Sequence, residues 1–174
     1  MDSLTFYGAG GSHHLVALQH FPLPPPRVFP LFADASNLEP MTPGWLRFRI
    51  LTERPIFMGT GTLIEYRLRL WGVPVRWKTL IAKWDPPRSF VDEQIRGPYA
   101  EWIHTHTFAE LNGGTLMEDH VRYRLPFGWA GRLAHPVVRD RLRGIFLHRR
   151  AVVADLLGSR ERPPGVASGS EGGP

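Results

Sequence analysis

The sequence predicts an α+β chain in which one long helix lies on a curved antiparallel sheet. Three observations carry this. Between residues 45 and 125, six segments place apolar side chains at every second position and are separated by short turn sequences. Between 130 and 157 the apolar spacing changes to steps of three and four. Ahead of both, a strand-like segment leads into a proline-rich stretch with helical spacing. Neither a one-faced sheet nor a striped helix can bury itself alone, so the two must pack together.

The elements follow in order. "HLVALQHF" (14–21) alternates as a strand, and "PPPRVFPLFAD" (24–34) reads as a short helix with prolines in its first turn. Val28, Leu31 and Phe32 share one face of it, and Pro30 is expected to shorten or kink it. "ASNLEPMTP" (35–43) offers Ser36 or Asn37 as the cap of one further turn. "WLRFRILTE" (45–53) sets Leu46, Phe48 and Ile50 against Trp45, Arg47 and Arg49, and "GTLIEYRLRLW" (61–71) repeats the pattern. A turn at Gly72-Val73-Pro74 leads into 75–84, Asp85-Pro86-Pro87 into 89–96, Gly97-Pro98 into 99–111, and Asn112-Gly113-Gly114 into 115–125. The closing helix runs from about 130 to 157, with Gly158 as its stop. The element order is β-α-α-β6-α, with six to seven strands. Residues 1–13 are expected to be a flexible N-terminus, 14–157 one domain, and the Gly-, Pro- and Ser-rich 158–174 a disordered tail.

Composition narrows the class. Hydrophobic residues at 43% and charged residues at 21% are ordinary for a globular chain. There is no cysteine, which excludes disulfides and thiol catalysis. The N-terminus lacks a basic start and apolar core, and no apolar run reaches membrane-spanning length, so a cytoplasmic protein is expected. The net charge of +5 rests on arginine, since Lys78 and Lys83 are the only lysines. Between residues 121 and 160, arginines 122, 124, 132, 139, 141, 143, 149, 150 and 160 are set against only Asp140 and Asp155. A basic helix of this kind can touch anionic lipid or phosphate, although a solvated face explains it as well.

Several motifs point to a family. They are "Phe90-Val-Asp92-Glu-Gln94…Gly97-Pro98-Tyr99", "Trp102-Ile-His104-Thr-His106-Thr-Phe108", "Gly114-Thr115-Leu-Met-Glu-Asp119-His-Val121-Arg-Tyr123", "Pro126-Phe127-Gly128" and "Ile145-Phe146-Leu-His-Arg149". With the element order, they resemble the START/Bet v 1-like (SRPBCC) superfamily. More narrowly, they resemble the bacterial ligand-binding SRPBCC domains labelled polyketide cyclase-like or cell-division inhibitor. The resemblance spans about 14 to 157. It implies a helix-grip fold with a cavity between concave sheet and C-terminal helix, used for hydrophobic or amphipathic small molecules, in some members with cyclisation or dehydration. A fold alone does not choose among these uses.

Alternation puts Trp102, His104, His106 and Phe108 on one face of their strand. A hairpin loop at 111–114 pairs Glu110 with Thr115, which sets His106 opposite Asp119, His104 opposite Val121 and Trp102 opposite Tyr123. The resemblance makes this face concave. Tyr66, Leu68, Trp77, Gln94 and Ile145 are further candidates for ligand contact, with ordinary core packing or an exposed strand position as the alternative. Arg149 follows Phe146 by three near the apolar stripe. If buried it must be paired, with Asp119 as the natural partner and Asp92 as the second choice. Otherwise it reaches water at the helix edge.

Competing chemistries fare less well. His-x-His supplies only two metal ligands and Asp119 a third, with no HExxH or Cys/His pattern beside them, so no metal and no cofactor is expected. A hydrolase lacks a nucleophile, there being no Gly-x-Ser-x-Gly elbow and no cysteine. "GTGTLIE" (59–65) opens a strand rather than a helix, so a dinucleotide reading fails. The preferred reading is a binding module for a small hydrophobic or amphipathic ligand. The alternatives are a cyclase- or aromatase-type enzyme using His104 or His106 as acid or base, and a protein docking to a membrane surface through its basic helix. Nucleic acid is the less favoured anionic partner.

Overall fold

The computed structural model describes residues 2–161, the side chains of 132 and 158–161 excepted. Eight strands form one sheet: β1 (Ser3–Ala9), β2 (Ser12–Phe21), β3 (Arg49–Ile50), β4 (Leu63–Leu70), β5 (Val73–Asp85), β6 (Ser89–Arg96), β7 (Glu101–Leu111) and β8 (Gly114–Arg124). Helix α1 (Pro25–Ala33) and two short 3₁₀ turns (Ala35–Leu38 and Gly44–Leu46) separate β2 from β3, and α2 (Gly128–Glu161) ends the described chain. The spatial order is β1-β2-β8-β7-β6-β5-β4-β3, and every neighbouring pair is antiparallel. This is the expected helix-grip architecture, with corrections at its ends.

The first correction is β1. Residues 1–13 were expected to be loose, but Gly10 and Gly11 both have positive φ (58° and 79°) and close a two-residue hairpin that pairs Phe6 with Leu15 and Tyr7 with His14. Paired positive φ values are what such a turn demands, and two glycines supply them without steric cost. The same geometry at Asn112-Gly113 (52° and 77°) fixes the β7–β8 register at Trp102↔Tyr123, His104↔Val121, His106↔Asp119 and Glu110↔Thr115, as the loop length predicts.

The second correction concerns 45–53, expected as a strand. Arg47 is left-handed (φ 46°), which breaks the strand and leaves only Arg49–Ile50 paired. Leu46 is nevertheless buried, with Phe48 and Ile50 partly so. Asp34, rather than Ser36 or Asn37, caps the following turn by accepting the Ser36 N–H. The β4–β5 turn lies at Trp71-Gly72, and Pro74 already sits in β5. Helix α2 runs past Gly158, whose presence in a helix costs only about 1 kcal/mol. The expected disorder of 162–174 falls outside the described residues.

The core has two main parts. Phe29 on α1 packs edge-on against Trp84, Phe90 and Phe108, and Val153 and Leu157 of α2 close over the same cluster. At the other end, Leu15, Val121 and Tyr123 pack under Val138, Leu142 and Phe146 of α2. Pro30 is exposed, so its missing N–H and its ring face away from this core and α1 keeps its nine residues.

Histidines brace the β1–β2–β8 edge. His13 stacks on His135 of α2 (3.6 Å), and on the other face His14 stacks on Tyr7 and bonds His120 (2.9 Å). Burial lowers His13, His120 and His135, reinforced by His14 for the first two and by His13 for the third. The unfolded chain therefore takes up these protons first. The stability they protect is complete above about pH 6.5 and declines as pH falls toward their folded values. Melting temperature should fall as pH is lowered through about 6.5. In a His13→Gln/His135→Gln variant the slope should be shallower; equal slopes would remove these residues from the account.

Candidate functional site

Between the concave sheet, α2 and the turns after α1 lies a cavity of about 190 Å³. Its walls include Leu46, Phe48, Leu68, Trp77, Trp102, Leu142, Ile145 and Phe146, so most of the surface offered to a ligand is apolar and aromatic. Trp77 and Trp102 meet edge to face at 5.4 Å, and Tyr66 bonds Thr79 across the β4–β5 ladder (3.0 Å). Burial pushes the Tyr66 and Tyr99 hydroxyls well up, so both remain neutral donors or acceptors.

The polar side of the cavity is backed by a cluster of two carboxyls and two imidazoles. Asp92 on β6 stands opposite His104 on β7, and Asp119 on β8 stands opposite His106. His104 Nε2 donates to Asp119 Oδ1 (3.0 Å), while its Nδ1 lies 3.6 Å from Asp92 Oδ2. His106 Nε2 donates to Asp92 Oδ2 (3.0 Å). The His106 Nδ1 approach to Asp119 Oδ1 is 2.6 Å but off the N–H direction, so it acts as an ion pair and not as a hydrogen bond. The Arg149 guanidinium reaches Asp119 at 3.8 Å and lies over the Phe32 ring.

The charges follow from these contacts. Burial alone would push both carboxyls up. It is outweighed at Asp119 by Arg149, His106 and His104, which hold that group well below the usual range, and at Asp92 by His104, His106 and Arg149. Burial works to lower His106, but Asp119 and then Asp92 reverse it, and the imidazole is raised. His104 is lowered, first by burial and then by His106. Asp92 and Asp119 as carboxylates, His106 as imidazolium, Arg149 charged and His104 neutral give a cluster with no net charge. Such balance is the condition for keeping ions in an apolar interior.

Tyr66, Leu68, Trp77, Trp102, His104, His106, Ile145 and Arg149 border the cavity, each from the face that alternation or helix spacing assigns. The other sequence candidates do not. Phe108 is buried in the α1 cluster, and Tyr123 lies under the start of α2, where its hydroxyl meets His135 (3.1 Å). Gln94 braces the β6–β7 loop by bonding the Tyr99 backbone in both directions. Asp119 sits behind the histidines, away from the main cavity. Arg149 is paired with Asp119 as expected and does not merely reach for water at the helix edge. Tyr99 and Asp92 are the residues sequence reasoning undervalued; Asp92 entered only as a second choice for Arg149. Its place two residues from both Phe90 and Gln94 on one strand was the available signal.

Basic residues on α2 are largely engaged within the protein. Arg139 and Arg143 lie over Phe6, Arg141 lies over Trp45, and Arg150 donates to the Ser3 and Leu18 carbonyls. No helix among the described residues is long and apolar enough to cross a membrane.

An aromatic cavity with a small buried polar cluster, held between a curved sheet and one long helix, defines a ligand-binding domain. Over residues 21–145 the chain matches the family described as polyketide cyclase/dehydrase and lipid transport, and it belongs to that family, within the SRPBCC/Bet v 1-like superfamily. Its fold is similar to TTHA0849 from Thermus thermophilus (19% identity, 86% of this chain and 99% of that one, TM-score 0.69). It is also similar to the ZhuI aromatase/cyclase from Streptomyces sp. R1128 (16%, 88% and 98%, 0.70) and to Ara h 8.0201 (17%, 83% and 99%, 0.59). A search of curated proteins gives no match.

Proposed function

We propose that the protein binds a small amphipathic molecule of one or two rings carrying a carboxylate or carbonyl. The observation that carries this is that Trp77 and Arg149, which border the apolar cavity, each hold a buried donor, Nε1 and Nε, that no acceptor among the described residues reaches. A donor left unsatisfied in the interior costs about 1–3 kcal/mol, which an acceptor on a ligand recovers. Size supports the same class: an apolar protein cavity of about 150 Å³ accommodates benzene, and this one is about 190 Å³. A longer chain requires the turns after α1 to move.

Titration with a naphthoate, followed by its fluorescence, tests the proposal. Saturable binding is expected, and Arg149→Leu should weaken it about tenfold or more, a loss of about 1.4 kcal/mol. Uncharged naphthalene should be affected much less by that substitution. Absence of saturable binding for both compounds would sink the reading.

A second reading, acid–base chemistry of the cyclase type, rests on His104 and His106 bordering the cavity while held by carboxylates. It predicts turnover of a reactive poly-β-ketone that is lost in His104→Gln and His106→Gln; binding without turnover favours the carrier.

A further inference from the structure

We infer that Asp92, His104 and His106 form a binding site for a divalent transition metal of the zinc class, with its remaining position open to the cavity. One donor atom from each residue lies within 4.8 Å of the others. Asp92 Oδ2 is 3.0 Å from His106 Nε2 and 3.6 Å from His104 Nδ1. Those values bracket the separation of about 3.3 Å between donors around a tetrahedral zinc with bonds near 2 Å. The three residues sit on the adjacent paired strands β6 and β7, with Asp92 directly opposite His104.

The nitrogens facing away from Asp92 supply an independent argument. His104 Nε2 bonds Asp119 Oδ1 at 3.0 Å, and His106 Nδ1 lies 2.6 Å from the same oxygen as an ion pair. When one nitrogen of an imidazole binds a metal, the other carries the proton and is commonly held by a carboxylate, which fixes the ring and raises its basicity. One carboxylate, itself anchored by Arg149, stands in that place for both rings. Asp92 and the histidines border the main cavity, whereas Asp119 does not, so the ligand side and the support side are already distinct. Two imidazoles and one carboxylate with an open position suit zinc, cobalt or ferrous iron. Sequence inspection found only Asp119 as a third ligand; the fold replaces it with Asp92.

Charge supports an anionic fourth ligand. A divalent ion with Asp92, Asp119, Arg149 and two neutral imidazoles sums to +1. Hydroxide or a ligand carboxylate from the cavity restores neutrality.

The full chain, stripped with chelator, should be titrated with Co²⁺ and then with Zn²⁺ as competitor. One equivalent of Co²⁺ should give visible d–d bands that Zn²⁺ abolishes. Asp92→Asn and His104→Gln should eliminate the bands, and Asp119→Asn should weaken binding about 10–100-fold while keeping the coordination. His14→Gln/His120→Gln removes the surface histidine pair and should change nothing. Should an interior variant fail to fold, paramagnetic shifts in wild-type protein decide: they should centre on His104 and His106. No saturable Co²⁺ binding, or shifts centred on His14 and His120, would overturn the proposal.

Discussion

Replacing Asp119 with alanine is expected to destabilise the protein by about 3–5 kcal/mol, lowering its melting temperature by roughly 6–20 °C for a domain of this size. Asp119 is buried and is the carboxylate nearest Arg149 among the described ion pairs; it also holds one nitrogen of each histidine. The consequences of its removal differ among the partners. His106 keeps Asp92 and can release its proton, because Asp119 is the first of the groups that raise it. Arg149 cannot lose its charge in any accessible range. Its side chain is only 15% exposed, so most of the penalty falls on this orphaned guanidinium. Adding Arg149→Leu should therefore recover a substantial part of the loss, giving a coupling of about 1–3 kcal/mol in the double-mutant cycle. Denaturant melts of the single and double variants measure it. Additive losses would mean that the 3.8 Å approach carries no energy and that Asp119 serves the histidines alone.

The cluster was half legible in the sequence, and the dividing line is physical. Asn112-Gly113 demands a two-residue turn, which fixes every pair from Trp102↔Tyr123 to Leu111↔Gly114. The juxtaposition of His106 with Asp119 followed from residue counting. Across the β6–β7 ladder no such constraint exists, because residues 97–100 form a longer loop and β6 has irregular register with β5 on its other side. The pairing Asp92↔His104 therefore could not be counted out, and Asp92 was undervalued. Alternation has a second limit. It fixes which face a side chain takes but not how far along the strand the cavity extends. Phe108 and Tyr123 point to the concave side, yet α1 covers the first and the start of α2 covers the second. The loose N-terminus was a different error: Gly10-Gly11 is a turn signal equal to Asn112-Gly113, but the alternation in Ser3–Ala9 is short, and those strand residues are exposed or only partly buried.

Substituting Ile145 by tryptophan is expected to abolish ligand binding while leaving the protein folded. Ile145 lies on α2 one turn before Arg149, borders the cavity, and packs on both the Trp77 cluster and the Tyr123 cluster. An indole at this position projects into the 190 Å³ that a ligand must occupy. Filling that space should weaken naphthoate binding at least about a hundredfold, or about 2.7 kcal/mol. Overpacking of a closed core costs about 1–3 kcal/mol, but here the added ring enters open space, so the melting temperature should change little or rise. Val137→Trp on the same helix is the control, since Val137 is 53% exposed and is not among the residues lining this cavity. The comparison with Arg149→Leu separates shape from charge. Loss of the guanidinium should spare uncharged naphthalene, whereas the indole should exclude naphthalene and naphthoate alike. Unchanged affinity in a folded Ile145→Trp protein would place the ligand outside this cavity, because no molecule of that size could share the space with the new ring.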